Sequence, residues 1–141
     1  MKELTPNIFV LACPSREIFS RISGKWTIMI LLCLENTPKR FNELKKVIDG
    51  ISQKVLTENL RSLERDGLIL RKVISSRPIK VEYSSTHLSL ELLGILNGLK
   101  DWTEGSMKLI LSHNEKYDRE LIKEQIKVAA GIPISGKNYL P

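Results

Sequence analysis

The sequence contains no hydrophobic run that could cross a membrane, because no uncharged apolar stretch reaches the length of about 18 residues that a span needs. The apolar segment before Cys13 is short and lacks a suitable basic segment in front of it, which argues against a secretory signal peptide. Two cysteines are too few for a disulfide framework and provide no four-ligand metal set. We therefore expect a reduced, cytoplasmic protein with no membrane contact, no metal and no cofactor.

The residue patterns of common enzyme families are also missing. The chain has no G-x-S-x-G, H-E-x-x-H or P-loop motif and no paired-carboxylate constellation. Its two histidines, His87 and His113, stand without a cysteine or carboxylate at metal-ligand spacing. These absences predict that the protein is not an enzyme.

What the sequence does have is a globular composition and an uneven charge. Its 141 residues are 42% hydrophobic and 27% charged, which predicts one domain with a proper core. The formal net charge is +6, and residues 38–80 carry this whole excess, with eleven Lys and Arg against five Asp and Glu. A local positive field of this kind favours a polyanion as partner. The alternative is an ordinary solvated basic surface.

The first half of the chain predicts a helix-turn-helix. Residues 14–23 predict a short helix, and an almost wholly apolar segment after Lys25 predicts a second, buried one. Apolar residues at helical spacing predict a third helix over 41–48. Ser52 is a suitable N-cap for a fourth helix over 52–66, and a short turn containing Gly50 joins these two.

After Gly67 the periodicity changes to that of strands. Alternating residues from Leu68 to Val73 and over 80–84 predict two strands, and the cluster over 75–78 predicts the turn between them. A helix-turn-helix followed by a β-hairpin is the order of a winged helix. The predicted fold class is therefore α+β, mainly α, with a two-stranded wing.

The C-terminal part predicts a long helix that begins after Thr86 and runs from about 88 to 111. Spacings of four and three residues define an apolar seam on it, which predicts a homodimer; the seam consists of Leu88, Leu92, Ile95, Leu99 and Trp102. The alternative is packing within one subunit. A separate, charged helix is expected over 113–130. The predicted organisation is an arm (1–13), a winged helix (14–86), a dimerisation helix (87–112) and a charged tail (113–141) with a flexible end.

Four segments carry a resemblance to a known family: CPSREIFSRISGKW (13–26), RFNEL (40–44), GISQKVLTENLRSLERDGLI (50–69) and VEYSST (81–86). The chain resembles the HxlR family of bacterial winged-helix transcription regulators, which are MarR-like. The resemblance implies a dimeric, two-fold DNA-binding protein that represses or activates nearby genes. The sequence departs from the family pattern at Thr86-His87-Leu88-Ser89, where Thr-Glu-Leu-Gly is usual, and its tail after about 112 is longer.

The residue types on the fourth helix match a reader of the DNA major groove. Gln53, Lys54 and Thr57 are the candidates for base edges, since Gln can pair with adenine, Lys with guanine and Thr with the thymine methyl. Ser52 and Arg61 are expected nearer phosphate. Glu58 could accept from cytosine or pair with Arg61.

Two further basic pairs are candidate DNA contacts. Lys39 and Arg40 precede the third helix, where a basic side chain and the free N–H groups of the helix start could hold one phosphate together. In the wing, Arg77 is a candidate for a narrow minor groove and Lys80 for a phosphate. For all of these residues the alternative is a solvated surface.

Cys13 is a candidate redox switch. It precedes Pro14 at a helix start, where the helix field and nearby basic residues favour a thiolate that oxidants or electrophiles attack. The resemblance adds that some HxlR-type regulators use a cysteine at the matching position in this way. The alternative is a small buried hydrophobe or an inert cap. Cys33, in the apolar second helix, is expected in the core.

The function that these observations predict is a dimeric regulator that binds double-stranded DNA at an inverted repeat through helix 52–66 and the wing over 75–80. An oxidant acting at Cys13 would switch it. Two alternatives stay open: a winged helix used for protein–protein contact, and a regulator that responds to a small molecule at the dimer interface, with Trp102 lining the pocket.

Overall fold

The computed structural model describes residues 5–133, so the ends of the predicted arm and tail, 1–4 and 134–141, lie outside the described residues. By contacts the chain divides into two compact units, one up to Gly98 and one from Leu99 onwards. The elements in chain order are α1 (Pro14–Ile22), α2 (Lys25–Cys33), β1 (Lys39–Arg40), α3 (Phe41–Val47), α4 (Gln53–Arg65), β2 (Ile69–Ser76), β3 (Ile79–Ser85) and α5 (His87–Ala129).

The first unit is the predicted helix-turn-helix followed by a hairpin. Gly50 adopts a positive φ of 80° in the turn between α3 and α4, a conformation that costs other residues more because they carry a Cβ. Ser52 caps α4 as expected, accepting a hydrogen bond from the Val55 N–H at 3.2 Å. The mainly helical winged-helix fold class is confirmed.

The sheet has one strand more than the sequence predicts. Strand β1 pairs with β3, so the order is β1-β3-β2, with Lys39 opposite Tyr83 and Arg40 opposite Glu82. The expected turn over 75–78 is shorter, because Ser75 and Ser76 still pair in the ladder and only Arg77 and Pro78 connect the strands. A β1 of two residues is too short for periodicity to reveal it.

The core of the first unit is built from α2, α3, α4, the start of β2 and the first turns of α5. Leu93 and Leu96 of α5 are buried in this core, so the unit itself covers part of the apolar surface of α5. Thr86 caps α5 as predicted: the Ser89 N–H lies 3.4 Å from its hydroxyl oxygen, and the Thr86 N–H donates to the Ser89 hydroxyl at 3.0 Å.

Helix α5 does not end near residue 111. It continues without a break to Ala129, a length of 43 residues, so the separate helix expected over 113–130 is the continuation of the same one. Ser112, His113 and Asn114 lie at the predicted boundary, and each costs only up to about 0.7 kcal/mol inside a helix, so they do not end it. No helix within residues 5–133 is long and apolar enough to cross a membrane.

Candidate nucleic-acid interface

Helix α4 is held by its apolar face. Leu56, Leu60 and Leu63, spaced four and three residues apart, are all buried in the core. Val55 packs partly against the same cluster. This burial turns the opposite face of α4 to solvent, as the sequence predicts.

Two polar contacts that the sequence analysis missed also fix α4. The Thr27 hydroxyl on α2 donates to the Asn59 side chain at 3.0 Å, and Asn59 in turn donates to the Val55 carbonyl. At the other end, the Arg21 guanidinium donates two hydrogen bonds of 3.0 Å to the Asp66 carboxylate, and this contact raises the pKa of Arg21. The only signal for these contacts was a lone Thr in an apolar helix and an Asp at a helix end.

The outward face of α4 presents the predicted DNA-reading side chains. Gln53, Lys54 and Arg61 are exposed and Thr57 is half-buried. The Thr57 hydroxyl donates to the Gln53 carbonyl at 2.8 Å, which leaves its methyl group for outside contact. Glu58 lies 4.0 Å from the Lys54 ammonium, so its ion pair is with Lys54 and not with Arg61.

The two wing residues, Arg77 and Lys80, are exposed at the end of the hairpin. The ladder shifts register between Val73 and Ser75, so β2 carries one extra residue just before this tip. An irregular strand therefore connects the tip to the sheet. The exposed Arg77 and Lys80 side chains can both contact a partner.

Lys39 and Arg40 form the short strand β1. They are consecutive in β1, so their side chains leave opposite faces of the sheet. The Arg40 N–H donates to the Glu43 carboxylate at 2.6 Å. Each side chain remains a separate candidate for a phosphate contact.

Cys13 is the N-cap of α1 and is 7% exposed. Its cover is local: the Asn7 N–H donates to the sulfur at 3.3 Å, and the Ser15 hydroxyl lies 3.0 Å from it. The contact with Ser15, followed by the Asn7 and Ser15 backbone N–H groups, holds the pKa of the Cys13 thiol below its ordinary value. The lowering comes from these hydrogen bonds rather than from basic side chains.

Cys33 has the opposite environment. It packs partly against the core, and burial raises the pKa of its thiol above the ordinary value. Both cysteines are free thiols. The contrast makes Cys13 the more acidic of the two thiols.

The predicted dimer seam is mostly exposed in each unit. In the first unit Leu88 and Ile95 are exposed, whereas Leu92 is partly buried against the core. In the second unit Leu99 and Trp102 are exposed. Among residues 5–133, no cluster of three or more His, Cys, Asp or Glu side chains has the arrangement of a metal site.

Comparison with known proteins agrees with this geometry. A family model described as HxlR-like helix-turn-helix matches residues 21–110. The HTH-type transcriptional regulator YtfH of Escherichia coli (strain K12) is 35% identical over 106 residues, which span 75% of this chain and 84% of that protein.

Two solved structures are similar over most of the chain. A transcriptional regulator, YtfH from Salmonella typhimurium, aligns with a TM-score of 0.74 and 34% identity over 78% of this chain and 98% of that one. The redox regulator HypR in its reduced form aligns with a TM-score of 0.64 and 35% identity, covering 70% and 98% of the two chains. HypR has also been solved in its oxidised form.

Proposed function

Because the chain belongs to the HxlR family of helix-turn-helix transcriptional regulators, we propose that it binds an inverted-repeat DNA operator as a homodimer. Helix α4 enters the major groove, and the wing contacts the neighbouring backbone and minor groove. Two copies of α4 then reach successive major grooves about 34 Å apart, which is why the operator is an inverted repeat.

The observation that carries this proposal is the division of α4 into a buried leucine face and an outward polar face. Gln53, Lys54 and Thr57 lie towards the N-terminal end of that outer face, where recognition helices contact base edges. Ser52 already accepts a hydrogen bond as the cap, and its hydroxyl hydrogen is left to donate to a phosphate. Further positive charge for phosphates and the minor groove comes from five other side chains: Lys39, Arg40, Arg61, Arg77 and Lys80.

The test is fluorescence anisotropy of the reduced protein with its own upstream DNA and with unrelated duplex at several salt concentrations. Lys54→Ala should weaken specific binding by about tenfold, the usual value of a base contact. Lys116→Ala, an exposed lysine on α5 outside the family match, is the control and should leave it unchanged. Affinity should fall steeply with salt. Binding to a protein partner in place of DNA, lost in Lys54→Ala, would support the protein-contact function and contradict ours.

Dimerisation rests on the exposed seam of α5. Leu88, Ile95, Leu99 and Trp102 leave a large apolar surface in water, which monomeric proteins rarely keep. We propose that a second copy covers it, with residues 87–112 as the dimerisation segment and 14–86 as the DNA-binding region. Residues 113–129 then extend α5 beyond that segment.

We further propose that oxidation of Cys13 switches DNA binding. Its support is the lowered pKa of the thiol and the local nature of its cover, and the similarity to HypR, a redox regulator solved in two redox states, points the same way. Diamide takes two electrons and two protons from a pair of thiols and becomes a hydrazine. The product that we expect is a disulfide between the Cys13 residues of the two subunits.

The switch is tested by measuring DNA binding with and without diamide. Wild type and Cys33→Ser should lose binding on oxidation, whereas Cys13→Ser should keep it. Ser15→Ala removes the largest contribution to the lowered pKa, so iodoacetamide should alkylate Cys13 several-fold more slowly at pH 7, since less of it is thiolate. Equal sensitivity to diamide in Cys13→Ser and wild type would contradict the switch.

A second candidate function, response to a small apolar molecule, is favoured by one cavity. It has a volume of about 440 Å³, within the range of ligand pockets. Its lining includes three residues of the seam, so an occupant would border the proposed dimer interface; the lining residues are Ile18, Ile22, Asp66, Leu68, Leu88, Glu91, Leu92 and Ile95. Trp102, expected in such a pocket, is not among them.

Nile red, a neutral apolar dye, tests the cavity. Its fluorescence should rise with wild type and not with Leu88→Trp, which fills the space from an exposed position. Leu90→Trp is the matched control, since Leu90 is equally exposed on the same helix but does not line the cavity. Identical signals from all three proteins would reject this candidate.

A further inference from the structure

A second cavity, of about 360 Å³, lies between α4 and the sheet of the wing. Its walls come from four elements, and most of its side chains are polar; the lining residues are Phe41, Thr57, Leu60, Arg61, Glu64, Arg71 and Tyr83. Arg61 projects from α4 and Arg71 from β2. Two guanidinium groups from different elements therefore border one space.

The pairing of the sheet explains why Arg71 reaches this space. Arg71 is opposite Tyr83 in the β2–β3 ladder, and directly paired residues leave the same face of a sheet. The next residue, Lys72, leaves the other face and is opposite Glu82. Only one of these two neighbouring cations thus faces α4.

Neither guanidinium is neutralised by the protein. Within residues 5–133, Arg61 and Arg71 make no ion pair shorter than 4.0 Å, although Glu64 lines the same cavity. The Tyr83 side chain lines the same space and brings a hydroxyl that can also donate. Two unpaired guanidinium groups and a phenol form a donor set suited to a tetrahedral oxyanion.

We propose that this cavity holds one backbone phosphate of bound DNA, with Arg71 and Tyr83 as contacts beside Arg61. The inference rests on the proposed function, since it needs α4 in the major groove. A strand that borders this groove and continues to the minor groove at the wing passes between α4 and the hairpin, where the cavity lies. The guanidinium of Arg71 then fixes the position of α4 on the duplex without reading sequence.

The experiment compares the salt dependence of DNA binding for Arg71→Ala and for Lys72→Ala, its neighbour on the opposite face. Arg71→Ala should lower the affinity about five- to tenfold for specific and unrelated duplex alike. It should also make the log–log salt slope less steep by about 0.9, the value of one lost phosphate contact. Arg71→Lys should keep the slope, because the charge remains.

Glu64→Gln provides a change of opposite sign. It removes the one carboxylate that lines the cavity, so affinity for DNA should rise about two- to threefold as repulsion of the phosphate is lost. Thermal unfolding of each variant, all at exposed positions, serves as the folding control.

The outcomes distinguish a failure of DNA binding from a failure of the phosphate pocket. If wild type binds no DNA, the proposed function fails. If wild type binds but Arg71→Ala and Lys72→Ala lose equal affinity and equal slope, the DNA-binding function stands and the phosphate pocket is wrong. A loss in Arg71→Ala limited to one operator sequence would also overturn it, because a phosphate contact acts on every duplex.

Discussion

Helix α4 buries all three of its leucines, whereas α5 keeps most of its large apolar side chains exposed. On α5 only Ser89, Leu93 and Leu96 are buried, all within its first three turns. The exposed set continues along the rest of the helix and includes Leu88, Leu90, Ile95, Leu99, Trp102, Met107, Leu109, Ile110, Leu111, Tyr117, Leu121, Ile122, Ile126 and Val128.

This difference indicates what kind of partner each helix can bind. The apolar face of α4 is buried within its own chain. Its outer face is polar and positively charged, so it suits a charged molecule that stays hydrated. The outer face of α5 is largely apolar. Binding there is favourable only when the partner covers this face and excludes water from it. The proposed partners, DNA for α4 and a second protein chain for α5, follow from this contrast.

The largest effect is expected from breaking the buried face of α4. Leu56→Ala should lower the free energy of unfolding by about 2–5 kcal/mol, because it leaves a cavity at a fully buried position. Leu90→Ala on the exposed face of α5 should change it by less than about 0.5 kcal/mol. Urea denaturation measures both, and similar losses in the two variants would contradict the contrast.

A charge on the seam should separate the chains. Ile95 is 71% exposed, so Ile95→Asp should leave each chain folded but raise the dimer dissociation constant at least about tenfold, since a carboxylate would have to be buried. Sedimentation velocity over a range of concentrations measures this change. Lys116→Asp, on the same helix but outside the seam, is the control. A mass unchanged by Ile95→Asp would place the interface elsewhere.

The smallest effect concerns the start of α5. Thr86→Ala removes the cap and the 2.7 Å hydrogen bond to the Gly67 carbonyl, and should lower the free energy of unfolding by about 1 kcal/mol. The control is Thr103→Ala, whose hydroxyl bonds only to the Leu99 carbonyl of its own helix and should matter less. Thermal melts followed by circular dichroism compare the two, and an equal shift would show that the cap contributes no more than a threonine inside the helix.

Much of the fold could be predicted because its signals are local. The N-caps Ser52 and Thr86, the glycines after α3 and α4, and the apolar spacing of α4 each depend on neighbours within one or two turns. Once the buried positions of α4 are assigned, its solvent-facing positions follow directly, because they lie on the opposite side of the helix. For the same reason the exposure of Gln53 and Lys54 required no knowledge of the tertiary structure.

The structural features that the sequence did not predict depend on residues far apart in the chain. Strand β1 exists because β3, more than 40 positions later, offers it a free edge. The Thr27–Asn59 and Arg21–Asp66 contacts join residues 32 and 45 positions apart. Arg71 was counted as one more cation in a basic region, and only the register of the sheet distinguishes its face from that of Lys72.

The bidentate contact between Arg21 and Asp66 has a mechanical consequence. Helix α1 is nine residues long, about 14 Å, with Cys13 as its N-cap residue at one end and Arg21 in its last turn at the other. Asp66 is the C-cap of α4. A single short helix therefore links the Cys13 residue to the C-terminal end of α4, so that a displacement of one would pull on the other.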